Sequence, residues 1–290
     1  MSKILVKRIS PCYYICINLL TGENMAYKRL RSAKTIESAK AADISLAVKT
    51  KVEEAIRFQN INLVKLPDSE AEIAEEIRNF GYYAMKACYD MNEYFSAAAG
   101  TYEIKGEKIE LSGFVRRFYE FLNPFMMKKG FGILHKFSCE KIFIKADVSR
   151  LYYVLANLLL NAAENSDIGT KIRISLSVTK KFAKITIKDS GFGMNEEILE
   201  HCCEPFFSTK KEKETGKMGL GLTLARHFAE ESGGRFHVKS EEGKGTSVSI
   251  LFPLLEKGND QLYVNSVPEN VFENKTEILK MVFSGIPDIE

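Results

Sequence analysis

The second half of the chain contains three glycine turns, and the first of them begins with the carboxylate of Asp189. The turns are Asp189-Ser190-Gly191-Phe192-Gly193-Met194, Gly219-Leu220-Gly221-Leu222 and Gly243-Lys244-Gly245-Thr246. Glycine lets the backbone approach a ligand closely, and the free N–H groups of a glycine-rich helix start bind anions. The carboxylate of Asp189 can accept a hydrogen bond from an exocyclic amine or orient a water molecule. Together these features predict a site for a planar ring that carries phosphates.

Each turn also has an ordinary structural explanation when it is taken alone. Asp189 can cap the next helix, although Asn195, followed by Glu196 and Glu197, is already a good cap. The second turn can be a glycine kink before a packed helix that runs to Ser232. The order of the three turns favours the binding site over these explanations.

An asparagine pair lies upstream of the turns, on a helix predicted over residues 147–165. Asn157 and Asn161 are four residues apart, so their amides project from one side of the helix. The amide oxygen of Asn161 suits Mg²⁺, which takes few protein ligands and completes its shell with phosphates and water. Asn157 is predicted to support this ligand or to position a water. The alternative is a solvated polar face.

A polar run over residues 209–217 follows the phenylalanine pair at Phe206. It is long and flanked by glycine, which suits a mobile lid over a triphosphate, with Lys210 or Lys217 on phosphate oxygens. A solvated charge run is the alternative, and it also describes an open lid.

Five motifs in this order resemble the ATP-binding domain of sensor histidine kinases, in the GHKL group with gyrase-type ATPases, over about residues 105–254. Residues 157–162 resemble the asparagine box, residues 204–210 the phenylalanine box, and the three turns the glycine boxes. The resemblance implies a Bergerat-type fold with ATP and Mg²⁺ as cofactors. It implies that Asp189 binds adenine, that Asn161 binds Mg²⁺ and is catalytic with Asn157, and that Thr246 lies near the base. The other implied ATP contacts are Gly191, Gly193, Phe206, Thr209, Lys210, Lys217, Gly219, Leu220, Gly221 and Leu222. Lys217 departs from the family, whose lid often has glycine there.

The elements that position these residues predict an α+β chain. Residues 25–104 form two amphipathic helices with a break at Pro67, and the second carries Ile73, Ile77, Phe80, Ala84, Cys88, Met91 and Phe95 on one stripe. Such a hairpin is half of a four-helix bundle and predicts a dimer; packing on the following domain is the alternative. Residues 105–255 alternate in short strands between helices, which predicts a mixed sheet with helices on one face.

The remaining segments are small. Residues 1–24 are predicted as a strand and turn. The acidic residues 256–290 are either a short docking helix, built on apolar residues such as Leu279 and Phe283, or a mobile tail.

The helical hairpin lacks the histidine that the family resemblance leads us to expect. Histidine kinases carry a phosphate-accepting histidine on the first helix, and Asp43-Ile44-Ser45-Leu46-Ala47 aligns Leu46 with it. Leucine accepts no phosphoryl group, Ala47 replaces the acidic neighbour, and no histidine lies between residues 25 and 100. We therefore expect a kinase that phosphorylates a partner in trans, a pseudokinase scaffold that binds ATP, or an anti-sigma-type serine kinase.

The composition of this chain of 290 residues limits the ligands, partners and cellular location that we expect. A net charge of +3 without a basic block gives no reason to expect nucleic acid binding. The six cysteines form no paired C-x-x-C spacing, which argues against zinc; Cys202 and Cys203 are expected on a helix as free thiols. The apolar run from Cys12 to Leu20 is too short to span a membrane. We expect a cytoplasmic homodimer, or a heterodimer with another histidine kinase through residues 25–104, with a response regulator as a further partner.

Overall fold

The computed structural model describes residues 68–137, 140–208, 218–255, 275–284 and 286. Several predictions lie outside these residues: the strand and turn of 1–24, the first helix of the hairpin with Leu46, and the break at Pro67. The predicted lid, with Thr209, Lys210 and Lys217, also lies outside them.

The chain divides into two compact units. The first contains Met1–Tyr102 and Glu204–Leu220, and the second contains Glu103–Cys203 and Gly221–Glu290. The sequence did not indicate that residues 204–220 group with the helical segment rather than with the sheet.

The first unit is built on one long helix, α1 (Asp68–Ala98). Its predicted stripe is partly correct, because Cys88, Met91 and Phe95 are buried within the single chain while Ala84 is only half-buried. Met91 and Phe95 form a small core with Tyr94 and Met218 packed against it. Cys88, Met91 and Phe95 therefore do not require a second chain to cover them, and the dimer stays a prediction.

The second unit alternates strands and helices. In chain order its elements are β1 (Glu107–Glu110), α2 (Leu111–Lys128), β2 (Gly132–Lys136), β3 (Phe143–Ala146), α3 (Val148–Glu164), β4 (Lys171–Val178), β5 (Phe182–Lys188), α4 (Glu196–His201), α5 (Gly221–Glu231), β6 (Arg235–Glu241), β7 (Gly245–Pro253) and α6 (Lys275–Phe283). Three of the helices begin at acidic or amide caps. Glu110 accepts from the N–H groups of Ser112 and Gly113. Asp147 and Asn195 cap α3 and α4 in the same way, as Asn195 was predicted to do.

Five strands form the main sheet in the order β2-β4-β5-β7-β6, and β1 pairs with β3 in a separate two-stranded sheet. β2 and β4 are parallel, and the other neighbours in the main sheet are antiparallel. The register sets Ile174 opposite Ile187 and Ile187 opposite Val248, so apolar residues line one face across three strands. This confirms the predicted α+β class with a mixed sheet.

Helices α3 and α5 pack on this apolar face of the sheet and on each other. The inward residues Ile174, Ile185 and Ile250 are almost fully buried, and each contributes roughly 1.5–3 kcal/mol through its burial. Lys171 and Arg173, at alternate positions of β4, are exposed, so the opposite face of the sheet is in contact with solvent. The helices therefore hold the ends of β5 and β7 in fixed positions.

The acidic C-terminal segment was predicted to be either a short docking helix or a mobile tail. The structure places a docked helix in it, α6. Helix α6 packs against α3, and Leu279, Val282 and Phe283 are buried. The ring of Phe283 meets that of Phe125 edge to face at 5.6 Å. In the part of the chain that the structure covers, no helix combines the length and the apolar character needed to cross a bilayer.

Candidate nucleotide-binding site

Asp189 lies immediately after β5 and faces the start of β7. Its Oδ1 accepts hydrogen bonds from the backbone N–H groups of Gly191 at 3.0 Å and Thr246 at 2.9 Å. The side chain is buried, with the residue 6% exposed. Among the described residues both of these bonds use Oδ1, so Oδ2 keeps its lone pairs for a donor on a ligand.

The environment of this carboxyl group opposes its charge. Burial raises the pKa of Asp189 above its ordinary value. The backbone N–H groups of Gly191, Thr246 and Asp189 itself, together with the charge of Lys188, lower it by less. A ligand that donates a hydrogen bond to Oδ2 would stabilise the charged form.

The loop after Asp189 packs against the end of α3. A Cβ atom added to Gly191 would lie 1.7 Å from the carbonyl oxygen of Asn165, so only glycine fits. That carbonyl accepts from the N–H of Phe192 at 2.9 Å. Asn165, which follows the predicted asparagine pair by four residues, was not predicted as a site residue. The repeated spacing of four was the only signal for it, because backbone carbonyls leave no trace in residue type.

Ser240, at the end of β6, holds the same loop from the other side. Its hydroxyl accepts from the N–H of Met194 at 2.8 Å and lies 2.8 Å from Oγ1 of Thr246. It also donates to the carbonyl of Gly245 at 3.2 Å. Thr246, predicted near the base, therefore shares one network with the loop that contains Gly193. Ser240 was missed, and nothing in its sequence context distinguishes it from other strand serines.

Asn161 lies on α3, half-buried, near the first residue of α5. A Cβ atom added to Gly221 would lie 3.4 Å from Nδ2 of Asn161, so the phosphate-type turn and the predicted metal ligand are adjacent. Leu222, the second residue of α5, is half-buried. One amide oxygen with space for phosphate and water ligands fits what Mg²⁺ takes from proteins.

Asn157 is placed differently from Asn161. It is 3% exposed, and its Nδ2 donates to the carbonyl of Tyr153 at 3.1 Å in the same helix. The alternative of a solvated polar face is therefore wrong for Asn157, because α3 is surrounded by protein on nearly every side. Its role beside Asn161 stays a prediction.

Three predicted site residues, Phe206, Gly219 and Leu220, belong to the first unit. The N–H of Phe206 donates to the carbonyl of Gly219 at 3.1 Å, which joins the phenylalanine motif to the second glycine turn. The ring of Phe206 meets that of Tyr94 on α1 edge to face at 4.9 Å. Leu220 is buried. Within the described ranges, no cluster of three or more His, Cys, Asp or Glu side chains could hold a metal ion.

Comparison with known proteins identifies the class of domain that has this sheet, these helices and these glycine turns. The sequence profile of the histidine kinase-, DNA gyrase B-, and HSP90-like ATPases matches residues 146–256, which include Asn161, Asp189 and Thr246. The chain carries an ATPase domain of this family, and its homologues are sensor histidine kinases.

Two curated relatives show the extent of the likeness. Sensor histidine kinase YvrG of Bacillus subtilis (strain 168) is 28% identical over 187 residues, which are 64% of this chain and 32% of that protein. Sporulation kinase A of the same strain is 38% identical over 124 residues, 42% of this chain and 20% of that kinase. The matched part is thus about a third and a fifth of the length of these two relatives.

The fold agrees with that of one solved structure. The crystal structure of full-length ShkA in complex with AMPPNP matches with a TM-score of 0.62, covering 76% of this chain and 46% of that one. Identity is 20%, so this likeness concerns the fold alone.

Proposed function

We propose that this protein binds ATP·Mg²⁺ and acts in two-component signal transduction as a histidine-kinase-type phosphotransferase that phosphorylates a partner. The observation that carries the proposal is Asp189, a buried carboxylate locked by two backbone amides with one oxygen left for a donor. The amino group of adenine is such a donor. The family match over the same residues supports the choice of ATP.

The chain's own residues have separate tasks in this proposal. Asp189 orients the base, the N–H groups at the start of α5 face the phosphates, and the amide oxygen of Asn161 holds Mg²⁺. When bound, the metal neutralises charge on the transferring phosphoryl group. Thr209, Lys210 and Lys217 are proposed to order over the phosphates.

The metal assignment has its own test. We expect Mg²⁺ to strengthen ATP binding to the natural chain and to have little effect on the Asn161→Ala variant, because that variant lacks the amide oxygen. Calorimetric titrations with and without Mg²⁺ measure this. Asn123→Ala, a change on α2, is the control and should retain the full effect. An unchanged response in Asn161→Ala contradicts the assignment.

Transfer to a partner follows from the hairpin sequence. Leu46 and Ala47 stand where the family's acceptor histidine and its acidic neighbour occur, so the chain has no acceptor of its own at this position. The proposed partner is another histidine kinase, in a heterodimer through residues 25–104, and a response regulator receives the phosphoryl group afterwards. A homodimer through the same residues is the form proposed without that partner. We place the protein in the cytoplasm, where ATP is available and its free thiols stay reduced.

The same residues favour a second candidate, a pseudokinase that binds ATP and dimerises as a scaffold. One labelling experiment separates the two. The chain is incubated with γ-labelled ATP·Mg²⁺, alone and with a histidine kinase from the same cell whose own ATP site has been inactivated by substitution. Acid-labile phosphate on the partner supports the kinase, and its absence from both chains supports the scaffold. Acid-labile phosphate on a histidine of the isolated chain contradicts both.

A further inference from the structure

Two adjacent cysteines lie just beyond the end of α4. Cys202 and Cys203 follow the last helical residue, His201, in a turn, rather than within the helix as the sequence suggested. Their Sγ atoms are 3.7 Å apart, and both are free thiols with part of their surface exposed. Cys88, on α1, is a free thiol that is 2% exposed. The pair is thus close enough to react together and open enough to be reached.

The surroundings distinguish the two thiols chemically. A hydrogen bond from Cys202 lowers the pKa of Cys203, with help from the charge of Arg226, against the opposing effects of burial and Glu230. The same hydrogen bond, together with burial, raises the pKa of Cys202. The thiolate is the reactive form, and Nη2 of Arg226 lies 3.2 Å from the carbonyl of Cys203, which brings a positive charge to this residue. We therefore assign Cys203 as the nucleophile.

The backbone of Cys203 is hydrogen-bonded to α5, the helix that begins within the second glycine turn. The carbonyl of Cys203 accepts from Oγ1 of Thr223 at 3.1 Å and from Nη2 of Arg226 at 3.2 Å, and both donors are on α5. Helix α5 starts at Gly221, beside Asn161. A displacement of the Cys203 backbone therefore acts on α5, the helix that is proposed to face the phosphates.

We propose that Cys202 and Cys203 form an oxidant-sensitive dithiol site, which hydroperoxides convert to a disulfide, and that this oxidation weakens nucleotide binding through α5. The second part rests on the ATP binding proposed above. The first part does not depend on it.

The reaction balances with a peroxide as the oxidant. The Cys203 thiolate attacks one peroxide oxygen, the O–O bond breaks, and the released hydroxide takes a proton to become water. The resulting Cys203 sulfenic acid is attacked by the sulfur of Cys202, which forms the S–S bond and releases a second water. Two thiols lose two electrons and two protons, and hydrogen peroxide is reduced to two waters; an alkyl hydroperoxide would give one water and one alcohol.

The covalent geometry explains why this oxidation moves the backbone. The Cα atoms of neighbouring residues are about 3.8 Å apart, below the roughly 4.4–6.8 Å that disulfides prefer. The peptide between the cysteines must therefore twist when the bond forms. This twist moves the Cα atom of Cys203 and with it the carbonyl of Cys203, which accepts from Thr223 and Arg226. A disulfide under this constraint is easily reduced again, so the change is reversible.

The chemical part is tested by mass spectrometry on the full chain. The reduced protein is treated with equimolar hydrogen peroxide, blocked with a maleimide and digested without reductant. We expect the peptide with both cysteines to escape blocking and to weigh about 2 Da less than the dithiol, the mass of two hydrogens. If both cysteines are instead blocked as free thiols, the site does not exist.

Single variants test the assigned roles. In Cys202→Ser the sulfenic acid on Cys203 has no partner, so a dione probe should label it after peroxide treatment. In Cys203→Ser this label should be weaker, because burial still raises the pKa of the Cys202 thiol. Cys88→Ala is the control and should form the disulfide as the natural chain does. Equal labelling of the two single variants contradicts the assignment of Cys203 as nucleophile.

Nucleotide titration tests the second part. We expect the oxidised chain to bind ATP·Mg²⁺ about fivefold or more weakly, since two hydrogen bonds to α5 are lost, and a dithiol reductant to restore the affinity. The Cys202→Ser, Cys203→Ser double variant should not respond to peroxide. A disulfide that leaves the affinity unchanged refutes the coupling. If the reduced chain binds no nucleotide, the proposed ATP binding fails, while the mass of the peptide still decides whether the dithiol site exists.

Discussion

Asp189 and Thr246 are joined by two hydrogen bonds across 57 residues of sequence. The N–H of Asp189 donates to the carbonyl of Thr246 at 3.0 Å, and the N–H of Thr246 donates to Oδ1 of Asp189 at 2.9 Å. These bonds continue the antiparallel pairing of β5 and β7, which ends with Lys188 opposite Ser247. A carboxylate oxygen thus takes the acceptor place at the end of the strand pair. The sheet itself therefore fixes the side chain that we propose to bind the base.

This fixed, buried carboxylate should cost the protein stability when no ligand is bound. Burial raises the pKa of Asp189 in the folded chain above its ordinary value of 3.8, so the folded state binds more protons between those two values. Stability therefore falls as pH rises through that window and stays lower at neutral pH. We expect Asp189→Asn to raise the free energy of unfolding without nucleotide at neutral pH.

Urea unfolding at a series of pH values between about 7 and about 4 measures this effect. The gain in Asp189→Asn should shrink as the pH falls, because Asp189 in the natural chain then becomes protonated. The exposed Asp167 provides the control, since Asp167→Asn removes a charge that is not buried. A destabilised Asp189→Asn protein at neutral pH would show that the carboxylate is held for structure instead.

Ser240 should matter for the loop although it was not predicted from the sequence. Ser240→Ala removes the acceptor for Met194 and the bond to Gly245, so we expect a loss of about 1–3 kcal/mol in the free energy of unfolding. ATP affinity should fall severalfold with it, as the loop loosens. The control is Ser177→Ala at an exposed position of β4. If both variants behave alike, the network around Ser240 does not support the site.

Gly191 should tolerate no side chain. Gly191→Ala places a methyl group where the carbonyl of Asn165 lies, so the loop must shift, at an expected loss of about 2 kcal/mol or more in unfolding free energy. Gly132→Ala is the matched control, because the nearest atom to its added Cβ is 3.6 Å away, an ordinary contact. Thermal and urea unfolding compare the two variants. Equal stability of the two would mean that Gly191 is not closely packed.

The parts of the fold that depend on residue pattern were predictable. Alternation in β4, β5 and β7 and the apolar repeat of α3 gave the sheet and its helical layer, and Asn195 was identified as a cap from its type alone. Contacts made by backbone atoms were not predictable, and the carbonyl of Asn165 is the main example. The burial of Asn157 was missed because a polar residue four positions from Asn161 resembles a surface residue until neighbouring elements cover it.

The C-terminal segment shows a second kind of limit. Its apolar residues allowed either a docked helix or a mobile tail, since docking depends on whether a matching surface exists elsewhere. Phe125 on α2 supplies part of that surface for Phe283, although the two residues are 158 positions apart in the sequence. Long-range pairing of this kind is not encoded in local periodicity.

Calorimetric titration of the full chain with ATP in saturating Mg²⁺, repeated on Asp189→Asn, tests the central claim most directly. The account predicts measurable binding by the natural chain and a loss of about 2 kcal/mol or more in Asp189→Asn, because a charge-assisted hydrogen bond in a buried site is removed. Asp167→Asn should bind as the natural chain does. No heat and no thermal shift with the natural chain, or equal affinity in Asp189→Asn, would contradict it.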